Sequence, residues 1–229
     1  MINNRKGRAL HLRFIISTMA AACFLDIRYL LGLHPSSDNL SAHISSLVTQ
    51  ISSNVPVQPE IKCYPDAVYY NYHPIGLSLQ FKPVNGYKPK TGMRQDELQP
   101  ENLVLDGVDM YNMPSGRPQP GTSLAKNKSP YASYPTNPIH LSLAAIPEKS
   151  RPQSLSVTPA TIGKDFVECF GEPDRKGGGA GPSSGSIGIW CEWSKDGVMV
   201  EFGGDEARGP QAWERGKDAT WKVITVFRT

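Results

Sequence analysis

The stretch Ile187-Gly-Ile-Trp-Cys-Glu-Trp-Ser-Lys-Asp-Gly-Val-Met-Val-Glu-Phe202 decides how the rest of the chain is read. In its first run Ile189, Cys191 and Trp193 share one side while Trp190 and Glu192 share the other; in its second, Val198, Val200 and Phe202 alternate with Met199 and Glu201. This is the period of two that a half-buried strand requires. Ser194-Lys-Asp-Gly197 has the length of a hairpin turn, with Asp-Gly expected to supply the positive φ angles. The stretch predicts an antiparallel β-hairpin.

An earlier segment carries the same pattern. Placing Gly76 on Gly197 aligns Val68 to Phe81 with Ile189 to Phe202 without a gap, so that Tyr69 and Tyr72 fall on Trp190 and Trp193, Leu77 and Leu79 on Val198 and Val200, and Phe81 on Phe202. Each hairpin is followed by a polar insertion and an apolar strand, Leu103 to Tyr111 and Trp221 to Phe227. The spacing predicts an internal repeat.

Working outward, Leu40, Ile44, Leu47, Val48 and Ile51 fall on one helical face after His34-Pro-Ser-Ser-Asp38, whose Ser and Asp are capping residues. Val55-Pro-Val-Gln-Pro59 should end that helix. A second, shorter amphipathic helix is expected over Ile162, Phe166, Val167, Cys169 and Phe170, stopped by Gly171 and Pro173. Residues 82–102 read as a surface connection. Ile139 to Ala145 reads as a short strand, expected as an edge closing the first sheet. The expected fold is therefore α+β, two helix-plus-antiparallel-sheet units joined by a Pro/Gly-rich linker. The boundaries are residues 1–35, an N-terminal segment of open role; 36–113, the first unit; 114–155, the proline-rich linker with its short strand; and 156–229, the second unit.

Composition narrows the function classes. With 229 residues and 39% hydrophobic content the chain can build a core, and 20 prolines and 21 glycines place much of it in loops. A dispersed net charge of +3 gives no nucleic-acid surface. Cys23, Cys63, Cys169 and Cys191 are too far apart in sequence for a zinc motif and read as buried free thiols, so no metal or cofactor is expected. Residues 1–35 are acid-free until Asp26 and carry an apolar run from Phe14 to Leu25. A secretory signal, a mitochondrial presequence and a buried helix all fit that run, which is too short to span a bilayer. Pro118 to Pro120 reads as a spacer rather than a polyproline ligand.

Three groups of residues are candidates for function. Asp174 to Ser186 has the glycine content of a phosphate-binding loop, but it follows a helix and leads into a strand, the reverse of the nucleotide-binding order. It reads as a connecting loop, with Arg175 and Lys176 as candidate anion or lipid contacts. Residues 202–217 combine Asp205, Glu206, Glu214, Arg208 and Arg215 with Trp213, expected as a salt-bridged loop anchored on the hairpin by Trp213. A Trp flanked by Arg is also the make-up of a binding hot spot. Tyr70, Trp190 and Trp213 are the candidate protein contacts. Gly181-Pro-Ser-Ser-Gly185 is not a nucleophile elbow, which sits between a strand and a helix, and His73 and His140 read as structural. No catalytic set is expected. The alternative reading, a small hydrolase or phosphate-ligand-binding protein, would use the Gly-rich loop and the acidic 205–214 segment, with a cleft joining one of those carboxylates to His73.

Phe166-Val-Glu-Cys-Phe-Gly-Glu-Pro-Asp174, the strand pair ending at Phe202 and Lys222 to Phe227 together resemble the helix-plus-sheet unit of BamE-type outer-membrane assembly lipoproteins and of β-lactamase inhibitor proteins. More specifically, Tyr69 to Phe81 with the later Gly171-Glu-Pro173 turn is similar to the eukaryotic phagosome assembly factor family, over short motifs covering about a third of the chain. The Gly-rich loop and the Trp213 segment depart from that family. The hairpin faces, rich in Tyr and Trp, predict a non-enzymatic binding or adaptor module that presents a rigid amphipathic surface to another protein, and the resemblance implies that it acts on autophagic or endosomal membranes, with a phosphoinositide membrane as a further partner. The implied location is cytoplasmic and peripheral to endomembranes, or secreted or mitochondrial if residues 1–25 are a targeting segment.

Overall fold

A computed structural model describes residues 26–51, 57–113, 129–145, 150–179 and 188–229. The readings placed on residues 1–25, on Cys23, on Pro118 to Pro120 and on the glycine-rich segment from 180 to 187 lie outside these residues.

Helix α1 covers Asp38–Gln50, with Ser37 at its N-cap, and buries Leu40 and Leu47 on one face, with Ile44 and Val48 flanking them. Strands β1 (Glu60–Cys63), β2 (Val68–Tyr72), β3 (Leu77–Pro83) and β4 (Leu103–Tyr111) follow. Then come β5 (Ile139–Ser142) and β6 (Ser154–Val157), which pair only with each other. This corrects the expected edge position of residues 139–145: they form a separate two-stranded ribbon, whose Ile139, Leu141 and Val157 turn into the core. Helix α2 (Gly163–Phe170), β7 (Arg175–Gly177), β8 (Trp190–Trp193), β9 (Val198–Phe202), the single-turn α3 (Ala212–Arg215) and β10 (Trp221–Phe227) complete the chain.

The expected α+β architecture is present, but the two halves share one sheet. Its strand order is β1-β2-β3-β4-β10-β9-β8-β7, antiparallel throughout. The centre is the β4–β10 pair, where Met110 faces Ile224 and Val108 faces Val226. A strand at the end of each half would otherwise present unpaired backbone groups; pairing β4 with β10 removes both edges at once. Alternation sends Val68, Tyr70, Leu77, Leu79, Val108, Met110, Ile224, Val200 and Trp193 to one face, all buried under α1, α2, the ribbon and the 3-10 turn Ile27–Leu30.

The hairpins at Gly76 and Gly197 have the same geometry. Each turns through three residues of 3-10 helix into a left-handed glycine, φ 56° at Gly76 and φ 59° at Gly197. Asp196 therefore does not take a positive φ as the Asp-Gly pair suggested; it lies within the 3-10 turn and the glycine alone supplies the left-handed residue. Its carboxylate is spent on packing instead. It pairs with Arg151 at 2.7 Å, both side chains nearly buried, and accepts from the Ala144 backbone N–H at 2.7 Å. That network fastens the segment between β5 and β6 to the second hairpin.

Strands β4 and β10 each carry a bulge. Phe81 pairs with Leu105 but Gln80 with Gly107, leaving Asp106 extra; Phe202 pairs with Trp221 but Glu201 with Val223, leaving Lys222 extra. The inward residues accordingly slip phase, Leu105 to Val108 in one strand and Trp221 to Ile224 in the other. Beyond the slip, Asp109 and Thr225 point out of the opposite face of the sheet.

Candidate functional site

The structure separates the five candidate contact residues. Tyr70 is 5% exposed and packs its ring on Phe81, 5.0 Å between centroids. It stands in phase with Val68 and Tyr72, on the core face of β2, so it is a core residue and not a partner contact. Arg175 and Lys176 are neighbours on β7 and so point to opposite faces: Arg175 pairs with Glu192 at 3.2 Å, while the Lys176 ammonium lies 5.5 Å from the Trp213 ring centroid. They do not converge on one anion. Trp190 lies on the outer face, half-buried against Gly177.

Trp213 and Lys176 do come together, at a groove of about 260 Å³ on the core side of the sheet edge. Its floor is Ile189, Cys191 and Phe202 from the sheet, and one wall is Val167 of α2. Helix α2 is held there by ring contacts, Phe170 tilted at 5.1 Å and Phe166 stacked at 6.4 Å from Trp193, and by the Trp193 indole N–H donating to the Gly171 carbonyl at 2.8 Å. Gly171, with φ 85°, ends the helix as its sequence predicts. Trp213 is 44% exposed at the mouth and Val167 is 36% exposed. Lys164, Lys176 and Lys217 rim the groove against Glu168 and Glu172. The Cys191 thiol on its floor is pushed up to about 11, first by burial, with Glu172 adding and Lys176 opposing.

The 203–220 segment that carries Trp213 differs from the expected salt-bridged loop. Arg215 holds it by donating to the carbonyls of Asp205 and Arg208, at 2.8 and 3.2 Å, and its anchors are the fully buried Ala207 and Ala212. Trp213 is not the anchor: small side chains fit the close contact with the sheet, and the large one is left outside. Asp205, Glu206 and Glu214 are exposed here, beyond the end of β9. His73 lies in the turn between β2 and β3, and β4 and β10 stand between β3 and β9, about 14 Å of sheet. No cleft joins those carboxylates to His73.

The opposite face of the sheet holds residues that the sequence reading passed over. Register places Glu60, Asn71, Ser78, Asp109, Thr225, Met199, Glu192 and Arg175 in one row across all eight strands. Ser78 donates to Asn71 Oδ1 at 2.8 Å and Thr225 to Asp109 Oδ1 at 2.8 Å. Burial raises the Asp109 carboxyl to about 6, with Thr225 opposing the rise and Glu201 adding to it. Tyr131, arriving from residues 129–134, stacks on Tyr111 at 3.7 Å and donates its hydroxyl to Asn71 Oδ1 at 2.7 Å. The available signal was Asp-Gly inside the apolar run Leu103 to Tyr111, the mark of a bulge that turns later residues over.

Among the described residues no group of His, Cys, Asp and Glu is placed to hold a metal ion, and no helix is long and apolar enough to cross a membrane. Compared with known proteins, the chain matches no family model, no curated protein and no solved structure. The fold and its surfaces define an α+β protein with one eight-stranded antiparallel sheet, helices against one face and polar side chains across the other.

Proposed function

We propose that the protein is a non-enzymatic binding module that docks a partner protein through the groove between α2 and Trp213. The observation that carries this reading is the exposed indole of Trp213 at the mouth of an apolar groove, beside a lysine already seated on its ring. A large aromatic left 44% exposed while alanines anchor its segment offers apolar area to a partner, and indoles are enriched among residues that dominate interfaces. Of the rim lysines, Lys164 is paired with Glu168 at 3.4 Å and Lys217 with Asp218 at 3.9 Å, so Lys176 beside Trp213 is the cation that favours an acidic peptide with one apolar side chain to fill the groove. The resemblance to phagosome assembly factors supports placing such a partner on autophagic or endosomal membranes.

The test is selection of displayed random peptides on the full-length protein, followed by affinity measurement. Enriched peptides should pair acidic residues with a bulky apolar one. Their binding should drop at least about tenfold in Trp213→Ala, which removes a contact of about 1.4 kcal/mol or more. Lys176→Glu should weaken them further. Selected peptides that are basic, or that bind Trp213→Ala as well as wild type, overturn the reading.

A further inference from the structure

On the outer face of the first half of the sheet, away from the Trp213 groove, lies a cleft of about 570 Å³, within the range of about 300–1,000 Å³ that small-molecule sites occupy. Its floor is the outward side chains of Asn71, Ser78, Gln80 and Asp109, and its walls are tyrosines: Tyr64 and Tyr69 on one side, Tyr111 and Tyr131 on the other. We propose that this cleft binds a neutral oligosaccharide.

The lining decides among ligand classes. Lys62 and His73 lie 3.7 and 3.4 Å from the Glu60 carboxylate, which offsets the positive charge at that end of the cleft. A phosphate or carboxylate would in addition meet Asp66 and Asp109. An apolar ligand would cover the half-buried Gln80 amide and Asp109 carboxylate and leave them without water, a cost of about 1–3 kcal/mol or more for each group. A polyol meets both conditions, because each hydroxyl donates and accepts while its C–H face lies flat on an aromatic ring.

The unspent hydrogen-bonding capacity has the matching pattern. Asn71 receives Ser78 and Tyr131 at the same Oδ1, which leaves its Nδ2 hydrogens to donate. Ser78 has used its proton and keeps its lone pairs. Asp109 takes Thr225 at Oδ1 and keeps Oδ2 as an acceptor. A donor and two acceptors thus stand on adjacent strands about 4.8 Å apart, close to the width of one sugar ring. The networks behind them fix their orientation: Asn71 and Ser78 are 5% and 2% exposed, and Tyr131 is clamped between Tyr111 and His73, 4.5 Å from the imidazole. Tyr64, 44% exposed and edge-on to Tyr69 at 6.1 Å, offers the ring for stacking. Orientation held before binding reduces the entropy lost on binding.

The experiment uses the full-length protein on a printed array of neutral cello-, xylo-, manno- and chito-oligosaccharides, with sulfated and sialylated glycans and immobilised choline on the same surface. Hits are then titrated by calorimetry with wild type, Tyr64→Ala and Gln80→Ala. These two positions are chosen because Tyr64 is exposed and Gln80 half-buried, so both variants should keep the wild-type Tm. The expected result is retention on a neutral oligosaccharide, with affinity at least about tenfold weaker in each variant and peptide binding at the Trp213 groove unchanged. Retention only on charged glycans or on choline, no retention at all, or neutral binding that both variants preserve would each overturn the proposal.

Discussion

Asp109→Asn should make the protein more stable, and only above a defined pH. The carboxyl rises from 3.8 in the unfolded chain to about 6 in the folded one, chiefly because it is desolvated between Ser78 and Thr225 at the centre of the sheet. A raised carboxyl works in the opposite sense to a salt-bridged one. Between about pH 4 and 6 the folded state holds a proton that the unfolded state has released, so stability falls as pH climbs through that window. Above about pH 6 the cost is complete. At about 1.4 kcal/mol for each pH unit the ceiling is ~3 kcal/mol, and the side chain's half-burial, with cleft water on one side, brings it to ~2 kcal/mol. Asparagine keeps an oxygen for the Thr225 hydroxyl and carries no charge, so it should recover that amount. In a chain of this size ~2 kcal/mol moves Tm by about 4–8 °C. Thermal unfolding of wild type and variant at pH 8 and pH 4 is the assay. The gain should appear at pH 8 and vanish at pH 4. An equal gain at both pH values, or a loss at pH 8, would refute the argument that Asp109 carries a desolvation cost in the native sheet.

Three further outcomes follow from the same geometry. Asp196→Ala should cost about 3–5 kcal/mol in urea unfolding, because the Arg151 guanidinium is left buried without its partner; a loss below 1 kcal/mol would mean that water reaches Arg151. Gly197→Ala should be destabilising by more than the ~1 kcal/mol of the left-handed conformation alone, since a Cβ there meets the Phe227 carbonyl; an alanine variant with unchanged Tm would contradict the turn geometry. Cys191 should resist iodoacetamide at pH 8 in the native protein and react once guanidinium unfolds it, because burial raises its thiol to about 11; mass spectrometry of the labelled peptide reads this directly.

The chain's elements were legible where apolar residues recur along a short run, even across a bulge. Leu103 to Tyr111 and Trp221 to Phe227 are strands over those very residues, and Ile189 to Phe202 is a hairpin with the faces its alternation assigns. The inward Val198, Val200 and Phe202 and the outward Met199 and Glu201 needed nothing beyond local pattern. What was not legible depended on contacts between distant residues. That β4 would pair with β10, making one sheet from two halves, is a choice among edges on which a local pattern is silent. Tyr70, expected as a protein contact, is in phase with Val68 and so lies in the core. Of the five candidate contacts, Lys176 and Trp213 meet because α3 and β7 converge, a closeness between residues far apart in sequence. The outer row was missed for a related reason: Asn71, Ser78 and Asp109 lie on three strands, and only the register aligns them.

The extra residues Asp106 and Lys222 also set which parts of this chain tolerate changes in length. Deleting Asp106 would remove the bulge and leave Asp109 and Met110 on the faces they hold, whereas a residue inserted after Val108 without a new bulge would turn Asp109 toward the core and Met110 toward water, a reversal of both faces at the middle of the molecule. Within the connection over residues 84–102, Leu98 is buried in the core and Gly92 donates to the Cys63 carbonyl, so length is least constrained at its exposed stretch 94–97. Insertion scanning should therefore find a contrast within one region of chain: tolerance over residues 94–97, and loss of folded protein from Val108 to Met110. The same should hold in the last strand, where Lys222 is the extra residue and an insertion after Ile224 would turn Thr225 away from Asp109.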